Sequence, residues 1–586
     1  MKFKIILYIL ELLLLAQAEK RQKEQLPSVQ LQSGLIIIGT ENKTSDGNNL
    51  YHAYRGISFA EAPTGDRRFR PPVPLPRNLS GQVVYAVEDG PECVQLGYPV
   101  VGVEDCLYMN VYVPQITNSS ELLPVMVWIY GGGFLFGQNS YSSYGPDYLL
   151  DENVVVVTFN YRLGIFGFLS TEDEASPGNY GLKDQILALH WVRDSIKSFG
   201  GNNSRITVFG QSAGAASNSY LSHTPLTKGL YQAAIFESGT SINLWALTRN
   251  PKKTAFAAGI LLGVNTSTSQ SLVDGLRKSD YKTLAQSELI VLEDILLLNG
   301  LPYGPTTEPL HPGAVITNKS YEQLQNGCFH RIPYIIGLTS EEGIIFEEML
   351  NYGRALLLMY DVFLSELVPA SLNINDRAIK NFVNIIIRKH YFGVLPVAIS
   401  DERLIKFVSE NQFNRPIIEA ALLYCKFSPV YFYEFSYDGS LGTHDGSLTG
   451  ANMIFYGNVD NVDLLETSDT AIYYYWKLTL LLSVFDHKRK GEEWVTGVYK
   501  TGSDDKKVIN PPSFIACNVC GGVCPFKADV QTRLKTKCKF ILYLLEQTRT
   551  GYIQELSTDK IPTAQVKSGF IVIGTIKGTL NENKIY

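Results

Sequence analysis

The sequence predicts an α/β chain: a central, mostly parallel sheet flanked by helices. Three observations predict it. Apolar runs such as Val154–Asn160 are continuous rather than alternating, which suits strands covered on both faces. These runs alternate with helical stretches such as Leu182–Ser198 and Arg377–His390. Residues 199–214, FGGNNSRITVFGQSAG, read as a strand end, a turn of small residues and a helix start.

In chain order, the first segment reads as an export signal. Lys2 and Lys4 precede an apolar stretch, Ile5 to Leu15, and Ala16-Gln17-Ala18 is a small-residue cleavage site, so 1–18 is the expected signal peptide. Eleven residues, with Glu11 among them, are too few to span a bilayer. Strands are expected at Val125–Tyr130, Val154–Asn160, Ile206–Phe209, Ala233–Phe236, Pro333–Leu338 and Val430–Phe435. In such sheets, sites form at the carboxyl ends of the strands.

Composition narrows the function. The chain has 586 residues, 45% of them hydrophobic, enough for a large core. A formal charge of −6 with no basic block argues against nucleic acid and against an anionic membrane surface. Sequons at Asn42, Asn78, Asn118, Asn202, Asn265 and Asn318 agree with export and are the candidate glycosylation sites. Cys93 and Cys106 flank a short Gly/Pro loop and could bridge, a closure worth about 3 kcal/mol in the chain-entropy model. Cys328 and Cys425 could be paired or free.

The end of the chain repeats its beginning. Residues 537–546, KCKFILYLLE, match 2–11, KFKIILYILE, and 561–575 match 26–40 at the same offset of 535. A second export-type apolar stretch has no use inside a mature protein. The expectation is that 536–586 begin a second, tandem copy of the same gene and form no functional module. Residues 501–535 carry Cys517, Cys520 and Cys524, with no second ligand pair at zinc-site spacing, and are left unassigned.

The chemistry converges on the G-x-S-x-G at Gly210–Gly214. A strand, a turn with no room for side chains and a helix would leave Ser212 exposed at a strand end, as a nucleophile requires. Acyl transfer also needs backbone donors for an oxyanion, a base and an acid that orients it. Tyr130-Gly131-Gly132-Gly133-Phe134 follows a strand and offers bare backbone, and the elbow adds the Ala213 N–H. The base should come last in chain order. His223 lies too near the elbow; His311 and His330 precede the acid; His390 and His487 sit among charged residues. His444 remains, in a glycine-rich loop after the Val430–Phe435 strand. The acid belongs between Ser212 and His444, where Glu341 and Glu342 follow a strand; spacing alone does not choose between them.

With these residues in place, the chain resembles the type-B carboxylesterase/cholinesterase family of α/β-hydrolases. The run Phe199–Gly214 matches that family's nucleophile signature, and Glu104–Pro114 its second signature. Arg68-Phe69, Asn160–Gly164, Asn179–Gln185 and Glu237-Ser238-Gly239 are similar to further family blocks. The resemblance covers about Leu26 to Trp476, and a carboxylesterase domain is expected over 26–500. It implies the α/β-hydrolase fold, Glu342 as acid because the family acid directly precedes glycine, and His444 as base. It further implies oxyanion donors at Gly132, Gly133 and Ala213, a Cys93–Cys106 disulfide, and Ser238 bonded near the acid.

Two departures steer the substrate. Twelve residues separate Cys93 from Cys106 and none is Trp, so the platform that stacks on choline is missing. The short loop and Gln211 look more like insect secreted esterases, of juvenile-hormone-esterase or venom type. The hormone esterases usually carry an acid three residues after the histidine, where this chain has Ser447. The expectation is therefore a secreted, extracellular serine esterase acting on a small ester through a Ser-His-Glu triad. It needs no metal or cofactor, no nucleic acid and no stable membrane span. The rival is a catalytically inactive adhesion protein on the same fold.

Overall fold

The continuous apolar runs become the inner strands of one large sheet. In the computed structural model the described residues are 26–45, 49–97, 99–115, 121–288, 296–363 and 366–436, with further strands between 499 and 578. The strands are β1 (Ser28–Gln30), β2 (Ile36–Ile38), β3 (Thr40–Lys43), β4 (Leu50–Ser58), β5 (Val83–Tyr85) and β6 (Tyr108–Pro114). There follow β7 (Leu123–Ile129), β8 (Val155–Phe159), β9 (Gly201–Gln211), β10 (Ala233–Glu237), β11 (Tyr334–Thr339) and β12 (Val430–Ser436). The last are β13 (Tyr499–Lys500), β14 (Cys538–Glu546), β15 (Gly551–Ile553), β16 (Ala564–Val566) and β17 (Phe570–Gly578).

The large sheet runs β13-β17-β14-β12-β11-β10-β9-β7-β8-β6-β4-β3. Its centre is parallel throughout: β8 with β7, β7 with β9, then β10, β11 and β12 in turn. The flank β6-β4-β3 is antiparallel, and β1, β2 and β5 form a separate small sheet. Every residue of β8 and of β11 is buried, the condition that produces unbroken apolar runs.

Helices cover the sheet, and one decides the geometry of the site. Ala213–His223 is buried along its whole length. Its sequence, AGAASNSYLSH, is small where the helix meets the sheet, so the two approach closely. Tyr180–Ser195 packs beside it, Gln185 Nε2 donating to Ser217 Oγ over 3.0 Å. Two ion pairs, one buried and one partly buried, join the motif blocks to one another. Arg68 grips Glu104 through Nε and Nη2, both at 2.6 Å. Arg162 grips Asp184 through Nε at 2.8 Å and Nη2 at 2.7 Å. Breaking either would leave a buried charge unpaired.

The repeated stretches pair differently in their two settings. Val29 and its neighbours in β1 pair antiparallel with β2. The corresponding β16 pairs with β15, and β17 pairs with β14 at the edge of the large sheet, where β14 lies parallel to β12. Similar sequence therefore takes different strand partners, as expected where context outweighs intrinsic β-propensity. Among the described residues, no helix is long and apolar enough to cross a membrane.

Candidate active site

Ser212 follows β9 directly and starts the helix Ala213–His223 with φ 54° and ψ −119°. A side chain at positive φ is costly, of order 1–3 kcal/mol, and persists only where its surroundings hold it. Here the Ser212 N–H donates to the Glu237 carbonyl at the end of β10 over 2.7 Å. The flanking glycines follow from the crossing of helix and strand: a methyl on Gly214 would strike the Ile129 carbonyl, and one on Gly210 would sit 2.5 Å from it. Only hydrogen at both positions lets the turn close over the end of β7.

The triple glycine runs against that turn. A side chain on Gly131 would lie 2.7 Å from the Gln211 carbonyl and 3.1 Å from Ser212 Cβ. Gly132 and Gly133 have φ of 105° and 61°, which favour glycine. Phe134, buried at the loop's end, accepts from the Gly164 N–H over 2.8 Å and packs edge-on against Phe168. The Gly132 carbonyl is used, accepting from Leu135 and Phe136. Among the described residues, no acceptor takes the N–H of Gly132, Gly133 or Ala213. Two of these donors lie in the loop that packs against the turn through Gly131, and the third directly follows the half-buried Ser212. Beyond Gly133 the nearest wall is apolar, with Leu301 Cδ1 3.9 Å from where a side chain would begin.

The two glutamates separate cleanly. Glu341 is exposed, while Glu342 is 3% exposed at the start of the turn Glu342–Phe346 that follows β11. Glu342 Oε1 accepts from Ser238 Oγ at 2.5 Å and from the Thr339 N–H at 2.7 Å. Burial pushes its carboxyl up to about 7, against the lowering pull of those two donors. The glycine after it has a physical cause: a methyl on Gly343 would strike the Ile405 carbonyl and lie 2.8 Å from Ser409 Oγ. Ser409 Oγ also accepts from the Gly343 N–H, fixing the turn that carries Glu342. Ser409 lies 66 residues away, and nothing in the sequence ties it to Glu342.

His444 lies outside the described residues; β12 carries the chain to the same sheet edge as β11 and ends at Ser436. The described histidines that follow Ser212 sit elsewhere. His223 closes the far end of the elbow helix, its Nε2 3.0 Å from the Tyr424 hydroxyl, and burial holds its imidazole down at about 3. His311 Nε2 lies 2.9 Å from Glu308 Oε2, and His330 Nε2 lies 3.0 Å from the Thr224 carbonyl. His390 is exposed. Cys93 and Cys106 form a disulfide; none joins exposed Cys328 to buried Cys425. Among the sequons, Asn78, Asn265 and Asn318 are exposed, Asn42 and Asn202 partly so, and Asn118 lies outside the described residues.

Comparison with known proteins decides the family. A model of the carboxylesterase family matches residues 25–466. The chain belongs to the carboxylesterase family. A juvenile hormone esterase of Tribolium castaneum is 34% identical over 464 residues, covering 75% of this chain and 77% of that one. A carboxylic ester hydrolase of Bombus ignitus is 36% identical over 465 residues, covering 77% and 82%. A crystal structure of juvenile hormone esterase from Manduca sexta, with OTFP covalently attached, superposes with a TM-score of 0.70 at 26% identity. That likeness covers 79% of this chain and 90% of the other. This member of the family is a carboxylic ester hydrolase on an α/β-hydrolase fold.

Proposed function

We propose that this carboxylesterase cleaves small esters through an acyl-enzyme on Ser212. One observation carries the reading: the strained Ser212 sits on a turn packed against the triple-glycine loop, whose Gly132 and Gly133 N–H groups have no acceptor among the described residues, and that turn is linked through Glu237-Ser238 to the buried Glu342. Ser212 Oγ attacks the ester carbonyl as His444 takes its proton. The carbonyl oxygen becomes an oxyanion held by the N–H groups of Gly132, Gly133 and Ala213, each worth about 3–4 kcal/mol in the transition state. Glu342 orients His444 and stabilises the imidazolium, which then protonates the leaving alcohol. Water, activated by the same base, releases the acid and restores Ser212.

The apolar surroundings of the oxyanion loop, with Phe134 and Leu301 buried beside it, favour esters with an apolar acyl or alcohol group. Similarity to insect esterases supports that direction without choosing juvenile hormone, since Ser447 stands where the hormone esterases usually have an acid. The enzyme is exported after loss of residues 1–18. Glycans at exposed sequons such as Asn78, Asn265 and Asn318, and the extracellular persistence of the Cys93–Cys106 bridge, fit that route. Residues 26–500 form the catalytic unit, and 536–586 begin a tandem copy. The direct test is an organophosphonate probe that labels active serines. Labelling at Ser212, abolished in Ser212→Ala, is expected; an unlabelled wild-type protein would refute the reading.

A further inference from the structure

The loop that carries Gly132 and Gly133 is held from behind by a relay of buried contacts. Phe134 ends that loop at φ 61° with no exposed surface, a backbone state that persists only with outside support. Its carbonyl accepts from the Gly164 N–H over 2.8 Å and its ring packs against Phe168, so both ends of the helix Gly164–Phe168 grip it. From the other side Gly304 meets the same ring, 3.5 Å from where a side chain would begin. The helix is pinned in turn by Glu288, 123 residues further on, whose Oε1 accepts from the Ile165 N–H over 2.7 Å. Gly164, at φ 51°, makes room for that carboxyl, because a methyl there would strike it.

A buried carboxyl is an expensive pin. Glu288 is buried, and its Oε2 has no partner among the described residues. The helix Gly164–Phe168 presents no titratable side chain to it. Tyr303 faces it, its own hydroxyl buried and unpartnered among the described residues. On the helix Tyr281–Gln286, Lys282 is exposed and sits over the Tyr281 ring instead. No cation therefore offsets a charge on Glu288, and burial pushes it up to about 8.

We propose that Glu288 is a positioning residue for ester cleavage, resting on the reading of that loop as the oxyanion hole: through Ile165, Gly164 and Phe134 it sets where the Gly132 and Gly133 N–H groups stand. The protonated carboxyl supports the helix with a neutral acceptor. Ionisation leaves an uncompensated charge that draws the carboxyl toward water, and the loop loses its support.

The test is kcat per active site, with sites counted by organophosphonate labelling of Ser212, so that misfolded protein does not register. Glu288→Leu removes the acceptor, and kcat per labelled site should fall about 10–100-fold with KM little changed. A trifluoromethyl ketone, which mimics the tetrahedral intermediate, should bind that variant more weakly by a similar factor. The wild-type kcat should fall by up to about tenfold from pH 7 to pH 9 as the carboxyl ionises. Glu288→Gln keeps the acceptor without the titration; it should restore most of the kcat lost in Glu288→Leu and hold it level over that range, and it serves alone if Glu288→Leu folds poorly. A labelled Glu288→Leu protein with wild-type kcat overturns the proposal, and so does a Glu288→Gln profile that keeps the alkaline fall. Wild-type protein that is not labelled at Ser212 overturns the esterase reading beneath it, which the other two outcomes leave standing.

Discussion

Ser238 donates to Glu342 over 2.5 Å, while the carbonyl of the residue before it, Glu237, accepts the Ser212 N–H over 2.7 Å. One dipeptide at the end of β10 therefore fixes both the turn at Ser212 and the orientation of the Glu342 carboxyl. Ser238 is itself at φ 56°, with its N–H bonded to the Gly337 carbonyl. The site is spread over adjacent strand ends, and its spacing is set by the sheet register rather than by local sequence.

Ser238→Ala removes a donor that favours the ionised carboxyl. Glu342, already pushed up to about 7 by burial, should rise further. The wild-type kcat/KM should climb with pH through about 6–7 as the base deprotonates. In the variant that limb should move to higher pH, with about a tenfold loss at pH 7. Identical pH profiles for the two proteins would contradict the assignment.

Glu342→Gln keeps an oxygen for Ser238 and Thr339 but loses the charge. Turnover should fall by about 10³–10⁴-fold, as expected when the imidazolium loses its stabilising carboxylate. Stability should change in the other sense. The folded carboxyl binds its proton more tightly than the unfolded one, so its contribution is complete below about pH 4.5 and is lost as pH rises through about 7. The shift corresponds to about 3 kcal/mol. Denaturant titrations at pH 5 and pH 8 should show the wild type losing more stability between them than the Gln variant.

Gly343→Ala tests the turn rather than the chemistry. Its methyl would press on the Ile405 carbonyl and Ser409, displacing the neighbouring Glu342. A kcat about 10–100-fold lower with KM little changed is expected, because small misplacements of a catalytic group are costly. Unchanged kcat in a folded protein would show that the turn tolerates the shift.

Glu288 is another buried carboxyl, outside the proposed triad. Its Oε1 accepts from the Ile165 N–H over 2.7 Å, its Oε2 is buried without a partner among the described residues, and burial pushes it up to about 8. Stability from its protonated form is present below about pH 4.5 and lost as pH rises through 8. Glu288→Gln should therefore melt higher than the wild type at pH 9 and close to it at pH 5. Equal melting at both values would mean that the carboxyl does not carry an uncompensated charge.

The sequence by itself determined the parallel centre of the sheet and the turn at Ser212 between strand and helix. Those signals are local: unbroken apolar runs such as β8 reflect burial on both faces, and Gly210 and Gly214 mark a turn where a side chain would strike Ile129. It left Glu341 and Glu342 indistinguishable, because adjacent residues share one spacing. Only resemblance chose between them, and the tertiary structure separates them physically: Glu341 is exposed, while Glu342 is buried against Ser238, with Ser409 clamping the glycine after it. Glu288 gave no local signal either. A carboxyl's burial and a helix's facing depend on what the rest of the chain packs around them, over separations that no short motif records.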